Sequence, residues 1–277
     1  MSSRLHQVAA VNEEIAERGS YQGPGGAVVE VARRLAAARA GTVSYAPEQL
    51  AALLASQPPA GPAPTVPEVT AEGSMQAAER LYRAGGRRVG VLNFASARNP
   101  GGGYLRGARA QEEDLCRTAL LYSCLRDAPD YYAAHRASDD LRYSHRVIFS
   151  PDVPVIRDGR GELAAQPYEV SFLTSPAPNA GQLRRRSASV DVREVLAERA
   201  VRVLAVAARH AVRELVLGAW GCGVFANDPA EVAAAFEAAL ERDGAAFDRV
   251  VFAVWDRTPV SVNRAAFEAR FGGALAG

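Results

Sequence analysis

Cysteine is too scarce to hold the chain together. Cys116, Cys124 and Cys222 are odd in number, show no C-x-x-C spacing and have no paired histidines nearby. A disulfide framework and a zinc site are therefore both disfavoured, and no metal or cofactor is expected. Reduced thiols in a cytoplasmic protein are the expectation. No apolar run of about 18 residues or more occurs and no leader segment is visible, which argues against a membrane partner. Excess charge is missing too. With 32 cationic and 31 acidic side chains the net charge is +1, so a polyanion must be met locally, and a sequence-specific nucleic-acid binder is disfavoured. The four histidines, His6, His135, His145 and His210, stand beside no nucleophile in the sequence and receive no role. No strand is followed by G-x-G-x-x-G with an acid about 20 residues on, which sets a nicotinamide dehydrogenase aside.

The informative residues are concentrated between Asn93 and Asp114. Val89 to Phe94 reads as a buried parallel strand, and an amphipathic helix starts at Gln111. Between them Gly101, Gly102 and Gly103 allow backbone to approach a ligand closely. A loop at the carboxyl end of a strand is where open α/β sheets hold nucleotides. Gln111, Glu112 and Glu113 then set an amide before two adjacent carboxylates, so a phosphate cradle and a candidate proton donor share one short segment.

Asn93-Phe-Ala-Ser, three glycines, a spacer and Gln-Glu-Glu together resemble the signature of the bacterial-type poly(ADP-ribose) glycohydrolases. The resemblance implies an α/β fold, a macrodomain-like mixed sheet sandwiched by helices, with an N-terminal helical extension. It places the catalytic acid on Glu113. It further implies poly(ADP-ribose) or ADP-ribose as ligand, ADP-ribosylated proteins as targets, a monomer, and a part in the bacterial DNA damage response.

Length and a hydrophobic content of 48% suffice for a large core. Leu5, Val8, Val11 and Ile15 are spaced as a helix that Gly19 stops; a second helix is predicted from Ala27 to Ala40 and a short one near Pro47. The prolines of residues 56–67 mark a boundary, giving a helical cap over 1–62 and a catalytic domain over 63–277. Beyond it strands and helices alternate. Glu68 to Ala71 is a strand, Ser74 to Arg83 a helix, and Gln111 to about Arg126 one helix with Leu115, Ala119, Tyr122 and Leu125 on its apolar face. Strands follow at Arg146 to Phe149, Val153 to Ile156 and Glu169 to Thr174, then a helix from about Val190 to His210 and the strand Glu214 to Leu217. Asp228, Pro229 and Glu231 read as the N-cap, first turn and capping-box partner of a further helix. A last strand, Arg249 to Trp255, precedes a helix from Val262 to Phe271.

Gly218 to Asn227 is a second glycine-rich turn, suited to wrapping a diphosphate with backbone N–H groups. By resemblance Gly221, Cys222, Gly223, Val224 and Phe225 contact ADP-ribose, with Asn227 holding the loop or touching the ligand. Ser96, Asn99 and Pro100 line the ribose side, together with Gln111. The implied reaction is hydrolysis of the ribose–ribose O-glycosidic bond through an oxocarbenium-like transition state. Glu113 protonates the departing oxygen and then takes a proton from the attacking water. The ligand's own diphosphate offsets the developing positive charge. Glu112 points elsewhere on the helix and is assigned to a ribose hydroxyl. Glu72 is a weak candidate for the adenine amine; Thr174 to Asn179 are wall or scaffold; Arg184 to Arg186 read as a solvated charge run or as contacts to polymer phosphates. Two other readings remain open: an ADP-ribose reader, which has no need of the Gln-Glu-Glu, and a hydrolase of mono-ADP-ribosylated protein or DNA.

Overall fold

A computed structural model of the chain describes residues 2–64, 66–86, 88–186, 191–258 and 260–272. Helix α1 (Ser2–Arg18) ends at Gly19, where φ is +75° and a Cβ would lie 2.5 Å from that of Ala32. The predicted helix from Ala27 starts later. Val28 and Val29 belong instead to β2 (Val28–Glu30), paired antiparallel with β1 (Ser20–Gln22) across a turn in which Gly25 and Gly26 both have positive φ. Then come α2 (Ala32–Ala40), β3 (Val43–Tyr45) and α3 (Pro47–Ser56).

β4 (Glu68–Thr70), α4 (Ser74–Arg83) and β5 (Val89–Phe94) fall where the alternation predicts them. The single helix expected from Gln111 to Arg126 is two, α5 (Gln111–Thr118) and α6 (Leu121–Arg126). At the break Ala119 bridges to Val155 and the Leu120 amide donates to the Pro154 carbonyl at 3.0 Å. Tertiary pairing thus overrides the helical period. α7 (Pro129–Arg136) follows, opened by proline at its first position.

The two strands expected at 146–149 and 153–156 are one, β6 (Val147–Arg157), bulged between Ser150 and Val153 where Asp152 has a φ of +45°. β7 (Leu163–Ser175) begins earlier than its apolar stretch because its first half pairs back on β6. α8 (Ala180–Arg186) has no counterpart in the sequence reading. The expected helix start at Val190 lies outside the described residues, and α9 spans Arg193–Arg209. β8 (Glu214–Leu217), α10 (Pro229–Asp243), β9 (Arg249–Ala253) and α11 (Val262–Phe271) complete the chain. Asp228 caps α10 by accepting from the Ala230 amide at 2.8 Å, while Glu231 lies 4.0 Å from Arg193 rather than folding back on the cap.

The seven-stranded sheet has the order β3-β6-β7-β5-β8-β9-β4. β5 is parallel to both neighbours, β7 and β8, and β6 runs antiparallel to β7 and β3. One face carries a core with Leu81, Leu115, Leu121, Tyr131 and Ile156; the other holds Leu196, Leu204, Trp220, Phe236 and Phe267. This is the mixed sheet between helical layers that the sequence predicts. The N-terminal segment is more than a helical cap, because β3 supplies an edge strand of the main sheet. From β5 the chain runs out to β6 and β7 on one side, then crosses through α9 to β8 on the other. That reversal opens a crevice at the carboxyl ends of β5, β7 and β8.

Candidate active site

At the carboxyl end of β5 the pairing with β8 stops at Val91, so that Leu92 and Phe94, paired with β7 on one side, have no partner from β8 on the other. Gln111 fills the gap. Its Nε2 donates to the Leu92 carbonyl at 2.8 Å and to Ser74 Oγ at 3.1 Å, and its Oε1 accepts from the Phe94 amide at 2.9 Å. The side-chain amide behaves as a short piece of sheet and docks the first turn of α5 on β5. Gln111 is therefore spent on placing the two glutamates that follow it.

Glu112 is 3% exposed, and both of its oxygens are engaged. Oε1 accepts from Asn93 Nδ2 at 3.3 Å, and Oε2 accepts from the Ser96 amide at 2.6 Å. Asn93 Nδ2 also donates to Thr174 Oγ1 at 3.1 Å, tying the pair to β7. Burial pushes the Glu112 carboxyl up to about 8, against the opposing pull of the Ser96, Asn93 and Gly101 donors; the charge of Glu113 adds to the rise. The carboxyl is thus buried against Asn93 and the Ser96 turn.

Glu113 is 7% exposed and is held by one oxygen only. Oε1 accepts from the Gly103 amide at 2.8 Å, whereas Oε2 is buried and has no hydrogen-bond partner among the described residues. A buried acceptor left unpaired marks a site built to meet something else.

The glycines explain this closeness. Gly101 and Gly102 have φ of +62° and +59°, and a Cβ on Gly102 would lie 2.5 Å from Glu113 Oε1 and 3.1 Å from Glu112 Oε2. A Cβ on Gly101 would meet the Tyr122 ring at 2.9 Å, and one on Gly103 would meet that of Ala108 at 2.6 Å. Two of the amides of this loop are engaged within the protein. Gly102 donates to the Asn99 carbonyl, and Gly103 donates to Glu113. The loop thus packs on the protein's own carboxylates, with the Gly103 amide on Glu113. Ser96 Oγ accepts from the Arg98 and Asn99 amides, fixing the turn; Asn99 is exposed and Pro100 half-buried at its rim.

The second glycine loop has the opposite accounting. The amides of Gly221, Gly223, Val224 and Phe225 donate to no group among the described residues. Gly221 has a φ of +72°, and a Cβ there would meet Asn227 Nδ2 at 2.4 Å and the Ala177 Cβ at 2.5 Å; beside Gly223 the space is open. Asn227 is buried and donates to the carbonyls of Pro178 and Gly221, so it braces the loop. Cys222 is half-buried, and burial pushes its thiol to about 12, keeping it uncharged. Val224 is 88% exposed, and the Phe225 ring lies 6.0 Å from that of Tyr143.

Thr174 to Asn179 form the wall between the two loops. The Ser175 carbonyl accepts from Trp220 Nε1, the Pro176 carbonyl from Arg199 Nη1, and the Pro178 carbonyl from Asn227. Phe94 reaches across as well, 3.1 Å from the Cβ position of Gly218. Glu72 is bound to Arg80 at 2.9 Å instead of standing free. Asn93 escaped the sequence reading as a site residue because its value depends on a cross-strand neighbour, Thr174, which the sequence does not reveal. Trp255, exposed just beyond β9 on the same edge, was legible only as a strand residue.

Two glutamates at the mouth of a helix, packed on a glycine loop and faced by a second loop of free amides, define a glycoside-cleaving α/β protein of macrodomain-like fold. Comparisons with known proteins agree. Residues 9–158 match the catalytic domain of the microbial-type poly(ADP-ribose) glycohydrolases, or PARG. Among solved structures, the poly(ADP-ribose) glycohydrolase of Thermomonospora curvata bound to the inhibitor ADP-HPD is 49% identical with a TM-score of 0.89, over 97% of this chain and 100% of that one. The Deinococcus radiodurans poly(ADP-ribose) glycohydrolase in complex with ADP-ribose is 46% identical with a TM-score of 0.78, over 85% of this chain and 96% of that one. Among curated protein sequences no match was found. The chain belongs to the microbial-type poly(ADP-ribose) glycohydrolase family, whose members are glycoside hydrolases.

Proposed function

We propose that this chain hydrolyses the ribose–ribose O-glycosidic bonds of poly(ADP-ribose), the reaction of its family, with Glu113 as the general acid and then the base. The observation that carries the assignment is the asymmetry of the Glu113 carboxyl: Gly103 pins one oxygen, and the other is buried without a partner. Protonated, that oxygen donates to the departing ribose oxygen; ionised, it accepts a proton from the attacking water. The free amides of Gly221, Gly223, Val224 and Phe225 supply the diphosphate grip, and the Phe225 ring covers the ribose. The diphosphate held there offsets the positive charge of the oxocarbenium-like state, in place of a second carboxylate nucleophile.

Glu112 and Gln111 act through others. Glu112 fixes the start of the 96–101 turn by accepting the Ser96 amide, and Gln111 anchors α5. Ser96, Asn99 and Pro100 form the ribose-side rim, and the exposed Trp255 offers an aromatic face for the adenine. Polymer attached to ADP-ribosylated proteins is the natural form of this substrate. A module that only reads ADP-ribose has no use for a buried, unpaired carboxyl oxygen, which favours the enzyme. Incubating labelled polymer with the wild type and with Glu113→Gln tests the reading. The wild type should release ADP-ribose, and the variant should bind polymer while cutting it about 100- to 10,000-fold more slowly. Full-speed cleavage by the variant would remove Glu113 from the mechanism.

A further inference from the structure

Between the two loops the mouth of the crevice is bordered by arginines that hold backbone carbonyls instead of carboxylates. Arg136 Nη1 donates to the Arg98 carbonyl at 2.7 Å, and Arg98 Nη2 to the Ser138 carbonyl at 3.0 Å. One residue on, the Asp139 carbonyl accepts from Arg186 Nη1 at 3.4 Å. From the same helix, Arg184 Nη2 donates to the Ala226 carbonyl at 2.5 Å, inside the second loop. Arg185 lies between them, exposed. The border therefore runs unbroken from the first glycine loop to the second. None of these five guanidinium groups forms an ion pair among the described residues, unlike Arg39 with Asp127, Arg80 with Glu72 or Arg270 with Glu237. Of the two acids in the border, Asp140 is paired with Arg142 and Asp139 is not paired among the described residues. The positive charge of the rim thus outweighs the negative.

The pocket itself offers the diphosphate only N–H groups, and a net charge of +1 supplies no long-range attraction. A polymer carries a fresh pyrophosphate on every unit, so whatever distinguishes it from a single ADP-ribose must present cations just outside the pocket. Arginine suits this, because its planar fork meets two phosphate oxygens at once. The chain contains no lysine; each of its cationic side chains of this type is arginine.

Building on the glycohydrolase reading, we propose that Arg98, Arg136 and the arginines of α8 form a second phosphate subsite, which takes the pyrophosphate of the ADP-ribose unit adjoining the one held by the 221–225 loop. Arg98, Arg136 and Arg184 also brace the loops; Arg185 and Arg186 are the exposed part of the subsite.

The test uses the full chain with Arg185→Glu/Arg186→Glu and the charge-keeping Arg185→Lys/Arg186→Lys. Binding of ADP-ribose, and KM and kcat on long labelled polymer, are measured at low and at physiological salt. Charge reversal should raise KM for polymer about five- to tenfold and flatten its salt dependence, with kcat and ADP-ribose affinity unchanged. The lysine pair should stay near wild type. An unchanged polymer KM, or an equal loss of ADP-ribose affinity, would overturn the subsite while the activity stands. A wild type that neither binds nor cuts polymer would instead overturn the glycohydrolase reading, and the subsite with it.

Discussion

Gly102 is the residue at which backbone conformation and chemistry meet. A side chain there must adopt φ near +59° and also displace the Glu113 carboxyl it would touch at 2.5 Å. Left-handed backbone alone costs an L-residue roughly 1–2 kcal/mol. Gly102→Ala should accordingly lower both the melting temperature and kcat, and the loss of kcat should exceed tenfold, since a misplacement of about 1 Å can cost about 100-fold in rate. Glu112 makes a second prediction, on pH. Its carboxyl, raised to about 8 by burial, favours the folded state most below its ordinary value of 4.5 and loses that advantage as pH climbs toward 8. Glu112→Gln cannot ionise, so its stability relative to wild type should improve steadily between pH 5 and pH 8; denaturant midpoints across that range would show it, and a constant difference would contradict it. Glu113 was legible in the sequence because its spacing from the glycines is a linear pattern. The inward turn of Glu112 was not, being set by Asn93 and Ser96 from outside its own helix.

At the scale of elements the site depends on α9, through a residue that touches no substrate. Arg199 is completely buried; it donates to the carbonyls of Pro176, Arg142 and Tyr143, and burial lowers its guanidinium to about 10. Pro176 leads into Ala177, which packs on Gly221, and Tyr143 leans on Phe225. One side chain thereby sets both supports of the diphosphate loop. Arg199→Met should leave the three carbonyls without their donor, each worth about 1–3 kcal/mol. The expected outcome is a lower denaturation midpoint and a KM raised more than kcat is reduced; Tyr143→Ala, which spares the buried cation, should reproduce the KM effect with less loss of stability. Periodicity located α9 but not this task, because carbonyl acceptors leave no mark in a sequence. The break between α5 and α6 was hidden for a like reason: Leu115, Ala119, Tyr122 and Leu125 keep a helical spacing across it, and the partner that breaks the helix is on β6.

For the whole molecule, the alternation of apolar runs predicted the parallel centre of the sheet, whereas its β3 edge escaped. At the β4 edge the strand was legible, but β3 is three residues long, too short to show a period, and gains its strand character from β6. Deleting residues 1–56 should therefore do more than uncover a helical face. It strips β6 of its neighbour, bares a sheet edge and leaves the buried Arg157 without Asn12, which accepts from it at 2.8 Å. Insoluble protein is expected, read by the soluble fraction on expression; a soluble, active truncation would show the N-terminal segment to be dispensable.

Both borders of this sheet come from the first 70 residues, yet β3 waits for β6 and β4 for β9, which ends at Ala253. A ribosome making this protein releases the outer strands long before their partners exist. The partner of β4 emerges only after β5 to β8 have been made, so the nascent chain carries an unmatched strand through the synthesis of all of them. Such distant pairings make folding slow and defer closure of the sheet until β9 has been made.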